Sequence, residues 1–171
     1  MMNQRERQEK EIKTIKERTI KIRLSDADCD RIAKRAAIDG ISVGQLIENF
    51  IGDLVNGTYS NGSDERLFAK RWHDRCWFGM FPENTLLRYL VDDMDYDVDD
   101  FLTAWDEKKY AETHPEEFAK ERAELAEGEK LWFDEEVDTI VGNWLPNEKT
   151  NVEEQIEICR KWLEELESIK G

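Results

Sequence analysis

The feature that most constrains this chain is a six-residue alternation, Thr19-Ile20-Lys21-Ile22-Arg23-Leu24. In an extended chain Ile20, Ile22 and Leu24 fall on one side, and Thr19, Lys21 and Arg23 on the other. That pattern predicts a half-buried β-strand with a cationic polar face. A single strand leaves its own N–H and C=O groups unpaired, and one strand on two short helices has almost no core. The segment therefore implies a second copy, with two strands paired antiparallel above four helices. Such a two-stranded ribbon fits the major groove of DNA and would present Thr19, Lys21 and Arg23 twice.

Two helices are predicted after the alternation. The first covers residues 25–38, capped by Ser25 or Asp26, with Asp26, Asp28 and Asp30 in its first turn, where the helix dipole favours anions. Ala27, Ile32, Ala33, Ala36 and Ala37 give it a small-residue apolar side, and Gly40 ends it. The second covers residues 42–55, with Ser42 as cap and Gln45 at the position of a capping-box partner. Val43, Leu46, Ile47, Phe50, Ile51, Leu54 and Val55 form an apolar face too broad for so small a domain to bury alone. That excess predicts an obligate homodimer with Ile20, Ile22, Leu24, Leu46, Ile47 and Phe50 in its core.

Over residues 18–55, the alternating strand, the Ser25-Asp26 helix start and Asp39-Gly40-Ile41-Ser42-Val43 before the second helix resemble a ribbon-helix-helix domain. This is the fold of the Arc and MetJ repressors and of many plasmid and toxin–antitoxin regulators. The resemblance implies a DNA-binding dimer. Lys21 and Arg23 would read base edges, Thr19 would add a shorter contact, and the amides of Ser42, Val43 and Gly44 would hold a phosphate. The resemblance covers roughly a quarter of the 171 residues.

The net charge of -15 argues against DNA binding until it is divided along the chain. Residues 1–24 carry eight Lys/Arg and four Asp/Glu, and residues 25–57 carry three and six. Residues 58–171 carry 14 and 30, a balance of -16. A DNA contact is compatible with that total only because the charge is segregated. Residues 1–17 are polar, with Arg5, Arg7, Lys10, Lys13 and Lys16. They read as a frayed or partly helical arm, with the capacity to track phosphates beside the ribbon.

The turn-rich stretch Asn56-Gly57-Thr58-Tyr59-Ser60-Asn61-Gly62-Ser63 marks a domain boundary. The expected fold class is mainly α. A charged arm (1–17) leads to a ribbon-helix-helix domain (18–57), followed by an acidic all-α domain (58–171). In that domain residues 64–79 predict a helix with an aromatic face of Leu67, Phe68, Trp72, Cys76, Trp77 and Phe78. Arg66, Lys70, Arg71 and Arg75 are placed on its other side. Pro82 starts a short helix holding Leu86, Leu87, Leu90 and Val91. Residues 115–145 predict one long helix with Gly128 as a weak point and Pro146 as its stop. A last helix begins at the capping-box spacing Thr150-Asn151-Val152-Glu153 and carries Val152, Ile156, Cys159, Leu163 and Leu166 as an apolar stripe.

Residues 92–100 are the most acidic stretch, with Asp92, Asp93, Asp95, Asp97, Asp99 and Asp100. Asp93, Asp95 and Asp97 match the opening of a calcium loop. Val98 stands where that loop needs Gly, and Ala104 where it needs a bidentate Glu, so no metal is expected. These carboxylates form a solvated surface or a binding surface for something cationic. His73 and His114 lie in separate segments with no second ligand at zinc spacing, and there is no phosphate-binding glycine loop. Neither a cofactor nor catalysis is expected. Cys29, Cys76 and Cys159 are odd in number and widely spaced, reading as reduced thiols in a cytoplasmic protein. The charged N-terminus predicts no signal peptide, and no apolar run approaches a membrane span.

Three functions follow from this reading. The first is a homodimeric DNA-binding regulator of a bacterial or phage mobile element, with a protein partner for its acidic domain. The second is an inhibitor whose acidic domain occupies the nucleic-acid channel of a nuclease, in the manner of anti-CRISPR proteins. The third uses residues 18–57 for dimerisation alone.

Overall fold

The computed structural model describes residues 3–144 and 150–171. The chain divides into two compact units, Met1–Pro82 and Glu83–Gly171. The class is mainly α, as expected, but no β-strand forms among the described residues. The ribbon-helix-helix strand is therefore corrected. Thr19 to Leu24 run without regular structure, and Ile20, Ile22 and Leu24 are 50%, 60% and 49% exposed. Alternation orients side chains but supplies no hydrogen bonds; with no second strand beside it, the segment has no ladder to join.

The N-terminal unit is built from helices α1 (Gln4–Ile12), α2 (Asp26–Ile38), α3 (Val43–Leu54), α4 (Ser63–Arg75) and the single turn α5 (Trp77–Met80). Its local signals are strong. Asn3 and Glu6 close a capping box on α1, giving the arm a full helix. Ser25 caps α2 by accepting from the Asp28 amide. Gly40, at φ +70°, ends α2 in a Schellman motif: its amide donates to the Ala37 carbonyl and the Ile41 amide to that of Ala36. Ser42 and Gln45 form the predicted capping box of α3, each side chain accepting from the other's amide.

Residues 56–62, predicted as a boundary, lie inside this unit and fold back on α3. The Gly57 amide donates to the Gly52 carbonyl at 2.8 Å, and Asp53 accepts from both the amide and side chain of Asn61. A Cβ at Gly52 would stand 3.0 Å from the Tyr59 backbone, so any larger residue there would have to push the loop outward. The helix predicted over 64–79 breaks at Cys76, whose extended ψ of 152° separates α4 from α5. Gly79 then passes so close to the His73 carbonyl that any Cβ there would collide with it.

The C-terminal unit holds the core. It comprises α6 (Leu86–Arg88), which continues as a π-helical turn (Tyr89–Asp93), then α7 (Val98–Thr113), α8 (Ala119–Glu124), α9 (Trp132–Trp144) and α10 (Val152–Lys170). Thr85 and not Pro82 starts the first of these, by accepting from the Arg88 amide. The long helix predicted over 115–145 is two helices. His114 caps the end of α7, Leu125 is extended, and Gly128 sits at φ +89°, a left-handed conformation that no α-helix passes through. Pro146, its predicted stop, lies outside the described residues. Asn151 and not Thr150 caps α10. Leu86, Leu90, Phe101, Leu102, Phe133, Val137, Ile140, Trp144, Ile156 and Cys159 form one buried cluster. Burial pushes the Cys159 thiol up to about 11, so it stays protonated and inert. The few polar groups at the edge of this core are paired. The Trp144 indole donates to Asn84 at 3.2 Å, and the Leu86 amide to Gln155 at 3.1 Å.

Two substitutions test this account. Phe101→Ala, at a fully buried site, should destabilise the C-terminal unit by about 3–5 kcal/mol in chemical denaturation. Gly79→Ala should disturb the α4–α5 corner and leave the C-terminal transition unmoved, which two-dimensional amide spectra resolve by segment.

Candidate interaction surfaces

Three surfaces remain after the folding contacts are accounted for. The first is the extended segment 18–24. Thr19, Lys21 and Arg23 are all exposed, and Lys21 and Arg23 have no hydrogen bond or ion pair among the described residues. At the start of α3, the amide of Ser42 is taken by the Gln45 side chain at 2.9 Å. That leaves the first-turn amides of Val43 and Gly44, which have no partner within the helix. The six residues predicted for DNA thus lie on two separate elements, and one of the three amides is already engaged.

The second surface is apolar and lies within the N-terminal unit. Among that unit's described apolar side chains, only Ala36 and Ala69 are buried. Of the expected dimer core, Leu46 and Ile47 are half-buried while Ile20, Ile22, Leu24 and Phe50 are exposed. Phe50 on α3 meets Trp72 on α4 edge to face at 5.2 Å, and Trp72 meets Phe78 at 6.3 Å. His73 lies 5.4 Å from Phe78. These rings touch one another and still present Trp72 at 49% and Phe68 at 65% exposure. The aromatic face of α4 and its cations are expected on opposite sides of the helix. The register joins them: Arg71 and Arg75 lie three residues beyond Phe68 and Trp72 respectively, on the same side of the helix. The signal was present in the spacing.

The third surface belongs to the C-terminal unit. Asp92, Asp93, Asp95, Asp97, Asp99 and Asp100 are all exposed. They are not one uniform array. Asp92 pairs with Arg88 at 3.4 Å, Asp97 caps α7 through the Asp99 amide, and Asp95 holds a left-handed φ of 50° at the end of the π-helical turn. Asp95, Asp97 and Asp99 line a groove of about 550 Å³ together with Tyr96, Trp162 and Leu166. No group of His, Cys, Asp and Glu suited to a metal ion occurs among the described residues. Elsewhere several acids are paired: Lys108 bridges Asp134 and Asp138, and Arg160 grips Asp106 with both arms of its guanidinium.

Tyr96 lines the groove. Its hydroxyl donates to Glu136 at 2.6 Å. That bond, with partial burial and the neighbouring carboxylates, pushes its pKa up to about 12. A raised pKa stabilises the fold fully below the ordinary value near 10, and the contribution is lost as pH rises through the folded value. Absorbance titration of tyrosinate should therefore show one component near pH 12, absent in Tyr96→Phe and moved down in Glu136→Gln. An unchanged titration in Tyr96→Phe would assign the late component to another tyrosine. No helix among the described residues is long and apolar enough to cross a membrane. Compared with models of known protein families, with characterised proteins and with solved structures, the chain matches none.

Proposed function

We propose that the chain is a homodimeric DNA-binding regulator whose acidic C-terminal unit engages a protein partner. The observation that carries this reading is the segregation of charge between the two units. Residues 1–82 hold 15 Lys/Arg and 13 Asp/Glu, a balance of +2; residues 83–171 hold 10 and 27, a balance of -17. A chain with this net charge is repelled by nucleic acid except through a locally cationic element. The segment with Lys21 and Arg23 is such an element. It enters this proposal as an extended cationic strip, with the α1 arm on its N-terminal side. Exposed Lys and Arg without protein partners are the groups that gain most by displacing counterions from a phosphate backbone. The apolar exposure of the N-terminal unit supports the dimer, because an 82-residue unit with almost no buried side chain lacks the driving force to order alone.

A second reading has one observation in its favour. Six exposed carboxylates lie within the nine residues 92–100, so the C-terminal unit could occupy a cationic nucleic-acid channel.

The full-length protein at low salt should bind duplex DNA, with an affinity that falls steeply as salt rises. Lys21→Ala with Arg23→Ala should weaken binding and flatten the salt dependence, by about 0.9 in log–log slope for each phosphate left without its cation. Equal affinity and slope in the variant would remove the cationic strip from the function. Inhibition of a nuclease by excess protein, unaffected by that double substitution, would favour the second reading.

A further inference from the structure

Helix α4 carries a face whose charges complement one another when the helix is reversed. Asp64, Glu65, Phe68, Arg71, Trp72 and Arg75 are spaced three or four residues apart along one side, and all six are exposed. The two carboxylates stand in the first turn and the two guanidiniums toward the end. None of these four charges has a hydrogen bond or ion pair among the described residues. The other charges of the helix are engaged: Arg66 donates to Ser60 at 3.2 Å, and Lys70 pairs with Asp74 at 2.9 Å. Phe68, at the middle of the face, is the more exposed of its two rings.

Building on the dimeric reading above, we propose that α4 pairs antiparallel with α4 of a second copy, across a two-fold axis at Phe68. Phe68 is three residues from Glu65 and three from Arg71. The two-fold axis therefore sets Glu65 of each copy against Arg71 of the other, with Asp64 and Arg75 in the flanking turns. The two Phe68 rings meet on the axis, and each Trp72 closes over the seam from its contact with Phe50. A parallel pairing would oppose like charges. A uniformly acidic or basic partner would satisfy only two of the four charges, whereas a second copy opposes Glu65 and Arg71 in both directions and brings each Arg75 within one helical turn of the other copy's Asp64, the self-complementarity that an isologous interface requires.

The area is sufficient. Large aromatic side chains bury about 150–250 Å² each, so the half-exposed Phe50, Phe68, Trp72 and Phe78 offer roughly 400 Å² per copy. The stems of the four charged residues bring the total for two copies to about 1,000 Å², the lower bound of a specific interface.

Charge reversal of the full chain separates this pairing from other modes of association. Sedimentation should find the native chain dimeric. Arg71→Glu with Arg75→Glu, and separately Asp64→Arg with Glu65→Arg, should each weaken the dimer at least about tenfold. Mixed together, the two reversed chains should form a heterodimer, which misfolding of either chain could not produce. Phe68→Glu should dissociate the dimer with helical content retained. A native chain that sediments as a monomer overturns both the dimeric reading and this pairing. A dimer that survives all the reversals overturns the pairing alone, as do reversed chains that stay apart when mixed. DNA affinity, followed through Lys21→Ala with Arg23→Ala, reports on the cationic strip independently.

Discussion

The constraint on which the rest depends is apolar surface that one copy of the N-terminal unit does not bury. Folding orders each residue at a cost of about 1–2 kcal/mol in backbone entropy, and burial of apolar area offsets it. In residues 83–171 that offset is visible: Phe101, Phe133, Leu86, Leu90 and Ile156 are essentially removed from water. In residues 1–82 it is not. Helices α2, α3 and α4 begin and end at well-defined positions, yet none of their large side chains is fully buried, and Ile38, Phe50, Ile51, Leu67, Phe68 and Trp72 are exposed. Caps contribute about 1 kcal/mol each, enough to set where a helix begins but not to hold three helices together.

The two proposed interactions of that unit draw on different physics. The four half-exposed rings, at roughly 25 cal/mol per Å², correspond to about 10 kcal/mol of transfer free energy per copy before the costs of association. An exposed ion pair contributes about 0–1 kcal/mol. In the α4 pairing the rings would therefore supply the strength, while Asp64, Glu65, Arg71 and Arg75 would fix direction and register. DNA binding through Lys21 and Arg23 reverses that order: it is electrostatic, screened by salt, and independent of apolar area.

What the sequence made legible was local. The Ser42–Gln45 capping box, the Ser25 cap and the Gly40 stop involve residues within four or five positions of each other, the apolar stripe of α10 repeats every three or four, and all are found. What it did not make legible depends on distant residues or on backbone angles. The Thr19–Leu24 alternation has the period of a strand, but a strand is defined by its neighbour, and none is present among the described residues. The break of the 115–145 helix turns on a left-handed Gly128 and an extended Leu125, where apolar spacing alone continued the helix. For the surfaces, the acidic stretch was identified from composition. Its division among a cap for α7, an Arg88 partner and a groove lining depends on the backbone around the π-helical turn and the left-handed Asp95, which no periodicity signals.

The C-terminal unit explains how so acidic a fold persists. Its net charge of -17 would push the helices apart if the carboxylates were evenly spread. Instead the cations sit where helices meet. Lys108 on α7 reaches Asp134 and Asp138 on α9, and Lys130 adds a second contact to Asp138. Arg160 on α10 clasps Asp106 on α7, and Lys109 spans Glu112 and Glu153 while lying over the Trp105 ring. Hydrogen bonds from Lys108 and Lys130 hold the Asp138 carboxyl below its usual range. A depressed carboxylate pKa stabilises the fold above the ordinary value near 4, and that contribution disappears as pH falls through the folded value. Lys108, Lys109, Lys130 and Arg160 thus engage acids on other elements of the unit, while the carboxylates of residues 92–100 stay exposed. That leaves cationic chemistry to the N-terminal unit, where Lys21, Arg23, Arg71 and Arg75 have no acid to hold them among the described residues.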